Sequence, residues 1–492
     1  MLDHLPALQV IIPLISAPVC MLVTRASWAW LLATAVSIAS FVMALLLARE
    51  VSVHGVLSYH LGGWVPPLGI EYRIDHLSAY VLIIVSATAS ITMLAARKSI
   101  EQEVSREKSG LFYSAYLLCL TGLLGIAATG DAFNIFVFLE ISSLSSYALI
   151  AMGRDRRALT SAYQYLIMGT IGATFILIGV GLLYMLTGTL NILDLQQKIP
   201  GITGSRTLHA AFAFLTAGIS LKLALFPLHL WLPNAYAYAP SMITVFLSAT
   251  ATKVSLYLLF RFFFGLFPPE VSFESFHLGR ILLPLSIVAI LTASFVAIFQ
   301  DNIKRMLAYS SVAQIGYMTL GISLASKEGS IASMVYLLNH ALIKGGLFLA
   351  MACIVFRINS VQLEDFAGLG RRMPWTMAAI VLLGLGLIGV PLTAGFISKW
   401  YVLSAAIEQG HWLGAVVVVG GSLLAILYIW KIIEQAYFRT PVKVALHTSA
   451  IREAPLAMLI PLWVLVAGNF YLGLNTSFSY NFASTAIHAI FP

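Results

Sequence analysis

Charge is scarce in this sequence: Asp, Glu, Lys and Arg make up 10% of its 492 residues, while 60% are apolar. That leaves too little polar surface to solvate a globular fold of this length, so the chain belongs in lipid. Cysteine is scarcer still. Cys20, Cys119 and Cys353 lie far apart in apolar stretches, without the paired spacing that zinc, an iron–sulfur cluster or a disulfide framework requires. Neither a metal nor a cofactor is expected. No Walker sequence occurs, so ATP bound on this chain is not the energy source. A basic region and an Ala-x-Ala cleavage pattern are missing from the N-terminus, where Asp3 and His4 precede the first apolar run. That run reads as a retained helix and not as a secretory signal. The run Gly384-x-Gly386-x-x-Gly389 matches a dinucleotide fingerprint in spacing only. It lies inside an apolar span with no preceding strand, so these glycines serve helix packing.

Lys and Arg outnumber Asp and Glu by 28 to 20, a formal net charge of +8. Nucleic-acid binding would need that excess gathered on one basic face, and here it is spread through short loops. A hydrocarbon core about 30 Å thick takes roughly 20 apolar helical residues to cross. On that rule the chain is an all-α integral membrane protein, a single polytopic domain over 1–492 with about fourteen spans. These lie at roughly 5–23, 28–48, 74–96, 110–128, 131–152, 160–187, 207–231, 241–266, 278–299, 303–325, 330–356, 374–407, 411–438 and 455–475. Alternate loops differ in basic content. One side holds Arg25, the cluster from Arg97 to Lys108, Arg154 to Arg157, Lys304 and Arg305, Arg357 to Arg372, and Arg439, Lys443 and Arg452. The other holds only Arg49, Arg73, Lys198, Arg206, Arg261, Arg280 and Lys327. Because cytoplasmic loops carry the excess, both termini are expected outside the cytoplasm in a multi-pass inner (plasma) membrane protein. Short alternating runs around Gly62–Gly63 and Pro66–Pro67 predict a β-hairpin in the 49–73 loop.

The remaining lysines fall inside spans. Lys253 and Lys344 lie near the centres of theirs, Glu140 lies beside the midpoint of its own, Lys222 sits well inside, and Lys399 follows an interruption at Pro391. An intramembrane lysine costs about 2.5–3.5 kcal/mol on the insertion scale and is a functional candidate by default. The bland alternative is snorkelling to an interface. It suits Lys431, but Lys253 and Lys344 would have to rise roughly 18 Å to reach water. Glu140 is the single carboxylate at this depth, so packed helices would form a charged row parallel to the membrane plane.

Two breaks accompany the row. Pro227, His229 and Pro233 follow Lys222, and Gly389, Pro391 and Gly395 precede Lys399. Paired broken helices point to an internally repeated transporter; the competing reading is a pair of plain proline kinks. His340 and Lys344 are four residues apart and share a helix face, where they could pass a proton or line a water chain. His229, Pro227 and Pro391 are candidates for gating or access.

These residues resemble the proton-conducting subunits shared by Mrp-type cation/proton antiporters and the membrane arm of respiratory complex I. The resemblance rests on Gly130 to Glu140, Lys222 to Pro240, Asp301 to Gly316, Asn339 to Lys344 and Pro391 to Lys399, and in length it looks most like the Mrp D subunit. It implies two inverted five-helix repeats, each with a broken helix, over 110–266 and 278–438. The first half-channel would use Glu140, Lys222 and Lys253, and the second Lys344 and Lys399. The implied function is proton translocation in a hetero-oligomeric Na+ or other monovalent cation/H+ antiporter, a transporter subunit and not an enzyme. The cation path would lie mainly in partner membrane subunits, since one carboxylate among lysines offers few hard oxygen ligands. The alternative is a proton-pumping subunit of a complex I-like or membrane-bound hydrogenase redox complex. A receptor or structural role would leave the lysine row unexplained.

Overall fold

Backbone polar groups in lipid must bond within the chain, so apolar runs fold as helices. The computed structural model describes residues 4–23, 25–440 and 452–491; Asp3 and Lys443 lie outside the described residues. In chain order the helices are α1 (Leu5–Leu22), α2 (Ala26–His54), α3 (His76–Glu103), α4 (Ser109–Ala128), α5 (Ala132–Ala151) and α6 (Arg157–Thr187). There follow α7 (Ile192–Lys198), α8 (Arg206–Leu223), α9 (Trp231–Tyr238), α10 (Ser241–Phe260), α11 (Leu278–Ile298), α12 (Ile303–Ser323) and α13 (Lys327–Ile358). The last are α14 (Leu369–Arg372), α15 (Pro374–Ile388), α16 (Ala394–Glu408), α17 (Trp412–Phe438), α18 (Leu456–Leu474) and α19 (Ser477–His488). Among the described residues, 11 helical segments are long and apolar enough to cross a membrane.

The predicted hairpin forms: β1 (Leu57–His60) pairs antiparallel with β2 (Glu71–Ile74), Leu57 opposite Ile74 and His60 opposite Glu71. Asp75 follows at once and caps α3, its carboxylate accepting the Ser78 amide at 2.8 Å. His4 Nδ1 lies 3.1 Å from the Tyr59 hydroxyl, and Ile490 shares a pocket with Arg73, so both ends of the described chain sit on the hairpin face. At the opposite face the Glu103 carboxylate accepts Ser241 N and Oγ at 2.8 and 3.1 Å, and Lys304 donates to Ser241 Oγ at 2.9 Å. Lys304 is therefore not the loop charge expected from its position. It belongs to the first turn of α12 and is buried, because these oxygens replace its water.

The helices α5 and α12 start in the same way. Asp131 caps α5 by accepting Asn134 N at 2.7 Å, and Asn302 caps α12 by accepting Arg305 N at 3.0 Å. Each cap residue forms an isolated antiparallel bridge with the segment that follows the next helix, Asp131 with Asn191 and Asn302 with Gln362. The amide bonds correspond too: Ala132 N to Leu190 O (2.8 Å) and Ile192 N to Gly130 O (3.0 Å) match Ile303 N to Val361 O (2.9 Å) and Leu363 N to Asp301 O (2.8 Å). All these pairs share one sequence offset.

Both predicted breaks are present. Past α8 the chain turns at Ala224 (φ 58), passes the cis Phe226–Pro227 bond and resumes at α9. The stretch read as one span over 374–407 is two helices: α15 ends at Gly389 (φ 90), and α16 starts after Thr393, whose hydroxyl accepts the Phe396 amide. Positive φ at Gly389 suits a residue without Cβ. The short helix α19 was not foreseen.

Candidate functional site: a buried lysine row

The last turn of α8 carries Lys222 into the first break. Its ammonium donates to Ser143 Oγ at 2.8 Å and lies 3.9 Å from Glu140 Oε1. Glu140 and Ser143 are three residues apart on α5 and so present one face. The Lys222 side chain is 5% exposed and that of Glu140 24%, so the pair joins a buried cation to a carboxylate at the edge of the helix bundle. Glu140 Oε1 is enclosed and has no hydrogen-bond partner among the described residues. A loose ion pair with a hydroxyl beside it lets the ammonium leave the carboxylate without losing every oxygen at once. A cavity of about 30 Å³ adjoins Lys222, lined in part by Ser142, Ser143, Ser146, Tyr165 and Ser255, polar and large enough for a water.

Lys253 is fully buried on α10, donating to Ser248 O and to Thr252 Oγ1 (3.3 Å). Helix α10 packs against α13, so Lys253 sits on the helix beside the one that carries His340 and Lys344. Lys344, equally buried, donates to Leu307 O at 2.8 Å and to Ser310 Oγ, both on α12. Lys399 reaches from α16 back across the second break to Leu387 O (3.0 Å) and Ile388 O (2.8 Å). It thereby caps the C-terminus of α15, where the helix dipole favours a cation, and lies 5.0 Å from the Tyr317 ring centroid. An added Cβ on Gly389 would meet Lys399 Cδ at 2.9 Å, so this glycine also makes room for the lysine.

The structure therefore brings Glu140 to Lys222 and holds the other three lysines separately on neutral oxygens. No direct hydrogen bond joins His340 to Lys344; both His340 ring nitrogens are buried without a partner among the described residues. His229 stacks on Phe226 (5.2 Å between centroids) and meets Tyr309 edge-on (6.2 Å). Pro227 and Pro391 are exposed; they interrupt their helices without lining the row. Lys431, to which the snorkelling reading was applied, reaches the start of α12, bonded to Gln300 O and Asp301 Oδ1 at 3.1 Å each. Sequence reasoning missed Ser143, Ser310, Tyr317 and the backbone carbonyls. The serines at 142, 143, 145 and 146 were a visible signal, four hydroxyls in one apolar span. The carbonyls carry no sequence signal.

A family model described as "NADH:quinone oxidoreductase/Mrp antiporter, TM" matches residues 129–425, a stretch that contains all the row residues. NADH-quinone oxidoreductase subunit N of Desulforudis audaxviator is 40% identical over 490 residues, covering 96% of each chain. A chain of the membrane-bound sulfane sulfur reductase, an archaeal respiratory membrane complex, superposes with a TM-score of 0.91 at 30% identity, covering 99% of this chain and 98% of that one. A chain of the Mrp complex from a Dietzia species gives 0.90 at 25% identity, covering 100% and 97%.

Proposed function

The chain belongs to the NADH:quinone oxidoreductase/Mrp antiporter family, and from that premise we propose that it is a proton-translocating subunit of a multi-subunit membrane complex. The observation that carries this reading is the set of four lysines, Lys222, Lys253, Lys344 and Lys399, each at most 7% exposed, with Glu140 as the one carboxylate paired with any of them among the described residues. Like charges in one row repel, so their protonation states are coupled. Loosening the Glu140–Lys222 pair changes the field at Lys253, which acts in turn on His340 and Lys344, and Lys399 passes the proton on at the second break. His229, Pro227 and Pro391 control access at the breaks.

Three elements complete the eleven long apolar segments to fourteen spans: α8 with α9, α12, and α15 with α16. Residues 110–266 then form one half-channel repeat and 278–438 an inverted second. The matched starts of α5 and α12, at equivalent places and on opposite faces, support this division. The assembly we propose is a Na+ or other monovalent cation/H+ antiporter in the cell's inner membrane, with the cation path in partner subunits and no reaction catalysed on this chain. A second reading, the proton-pumping arm of a redox complex, is favoured by the 40% identity to an oxidoreductase subunit along almost the whole chain.

The test is to purify the native complex through a tag on this chain, identify its partners and measure proton movement in vesicles. Flavin or iron–sulfur partners decide for the redox arm, and small membrane subunits with cation-dependent proton exchange decide for the antiporter. In either complex Lys222→Ala should abolish proton movement while the chain stays assembled. Normal movement in that variant sinks the mechanism.

A further inference from the structure

Toward the hairpin face, α10 continues the polar stripe that holds Lys253. Tyr257 and Arg261 follow at successive four-residue steps, the spacing that keeps side chains on one helix face. The Tyr257 hydroxyl donates to Ala127 O at 3.0 Å, accepts from Arg261 Nε at 2.7 Å and lies 3.3 Å from Ser78 Oγ. Arg261, in the π-helical turn that extends α10, grips Asp75 with both terminal nitrogens, Nη1 reaching Oδ2 at 2.6 Å and Nη2 reaching Oδ1. Beyond the pair a pocket of about 100 Å³ opens at the hairpin face, lined among others by Arg73, Asp75, Thr129, Gln196 and Arg261. That volume holds several waters.

The second repeat supplies the contrast. At the offset that relates Asp131 to Asn302, Tyr257 corresponds to Tyr428, whereas Lys253 and Arg261 correspond to Leu424 and Ile432. Helix packing alone explains a repeated tyrosine, and it does not explain a lysine and an arginine flanking only one copy. Burying a guanidinium and a carboxylate costs several kcal/mol per ion before their attraction is counted, so plain packing would favour the apolar pair of the second repeat.

We propose that Lys253, the Tyr257 hydroxyl and the Asp75–Arg261 pair form a proton-release branch from the middle of the row to the hairpin-side pocket. The inference rests on the proton-translocating reading above. Tyr257 relays to water in the pocket the proton that Lys253 gives up once its ammonium leaves Ser248 O: its hydroxyl gives up one proton as it takes another, with no net change. Asp75 neutralises Arg261, whose bare charge would otherwise repel a proton at the mouth. Tyr257 is the relay, and Asp75 and Arg261 are positioning residues.

Two measurements on the purified complex in oriented vesicles test the branch. Thr129→Cys, Ser78→Cys and Tyr257→Cys are exposed to a membrane-impermeant thiol reagent from the hairpin side, where the buried native cysteines give little background. Labelling at 129 and at either 78 or 257 is expected; labelling at 129 alone overturns the branch. Tyr257→Phe, which keeps the ring, should slow proton release at the hairpin side at least about tenfold, read by a surface-bound pH dye, while the complex stays assembled. Normal release in Tyr257→Phe overturns the branch alone, whereas wild-type release that survives Lys222→Ala overturns the reading beneath it.

Discussion

A lysine taken out of water must find replacement oxygens, and the row shows which kinds this chain supplies. Lys222 has a hydroxyl and a carboxylate; Lys344 has a carbonyl and a hydroxyl; Lys399 has two carbonyls. Hydrogen bonds to charged groups contribute about 1.5–3 kcal/mol, so removing Ser143 or Ser310 has a cost of that order while the lysine stays charged. Ser143→Ala should impair proton movement more than it lowers the thermal midpoint, because Glu140 remains to hold Lys222. Ser310→Ala leaves Lys344 a single carbonyl and should lower both. Equal effects of the two changes on transport and stability would show that the carboxylate does not substitute for the hydroxyl. Outside the spans, burial works to raise the pKa of Asp75. The charge and hydrogen bonds of Arg261, the Ser78 amide and Arg73 outweigh it and hold the carboxylate below its ordinary value. A lowered folded value means that Asp75 stabilises the fold above the ordinary carboxylate pKa and ceases to do so as pH falls through the folded one. Asp75→Asn should therefore lower the thermal midpoint at neutral pH and flatten its decline in acid. An unchanged acid limb would exclude Asp75 as the group that titrates there.

Broken helices place the charges at this depth, and the two breaks do so differently. In the first, Lys222 precedes the interruption and Trp231 Nε1 donates to Leu221 O at 3.1 Å. In the second, Lys399 lies beyond the interruption and itself satisfies the open carbonyls of α15. Gly389 is needed twice there, for its left-handed backbone and for the space it leaves Lys399. Gly410, with φ 72 and nothing within 4 Å of an added Cβ, shares only the first need. Both Gly→Ala changes should cost about 1–2 kcal/mol of backbone strain, but only Gly389→Ala should displace Lys399 and impair proton movement. Equal transport in the two variants, measured in the same vesicles, would detach Lys399 from the break. The breaks and the lysines were legible because proline, glycine and charge are all rare inside apolar spans, and each leaves a mark when it occurs. The hairpin was legible from its turn residues. What satisfies the lysines was hidden, since a backbone carbonyl looks the same at every position and Ser310 gains meaning only when α12 meets α13. Arg261 lies on the expected side but not in a loop: at the end of an apolar run an arginine reads as a loop charge, and its partner Asp75, far away in sequence, makes it a partly buried one.

At the scale of the whole molecule the basic residues divide between two faces, and the structure shows what each face contains. The hairpin, the α5 start and the described chain ends share one. The other gathers Arg97 to Lys108, Arg154 to Arg157, Arg357 and the α12 start, with Glu103, Ser241 and Lys304 tying three helices together. Short loops rich in Lys and Arg stay in the cytoplasm, so the hairpin face should lie outside. That placement would give the pocket beyond Asp75 and Arg261 its direction: a proton leaving through it would leave the cell. In intact cells an impermeant thiol reagent should label Ser58→Cys on the hairpin and spare Arg106→Cys until the membrane is opened. The reverse pattern would turn the molecule over. The lysine row would survive that result unchanged, because its partners are internal, but the branch through Tyr257 would then release protons into the cytoplasm.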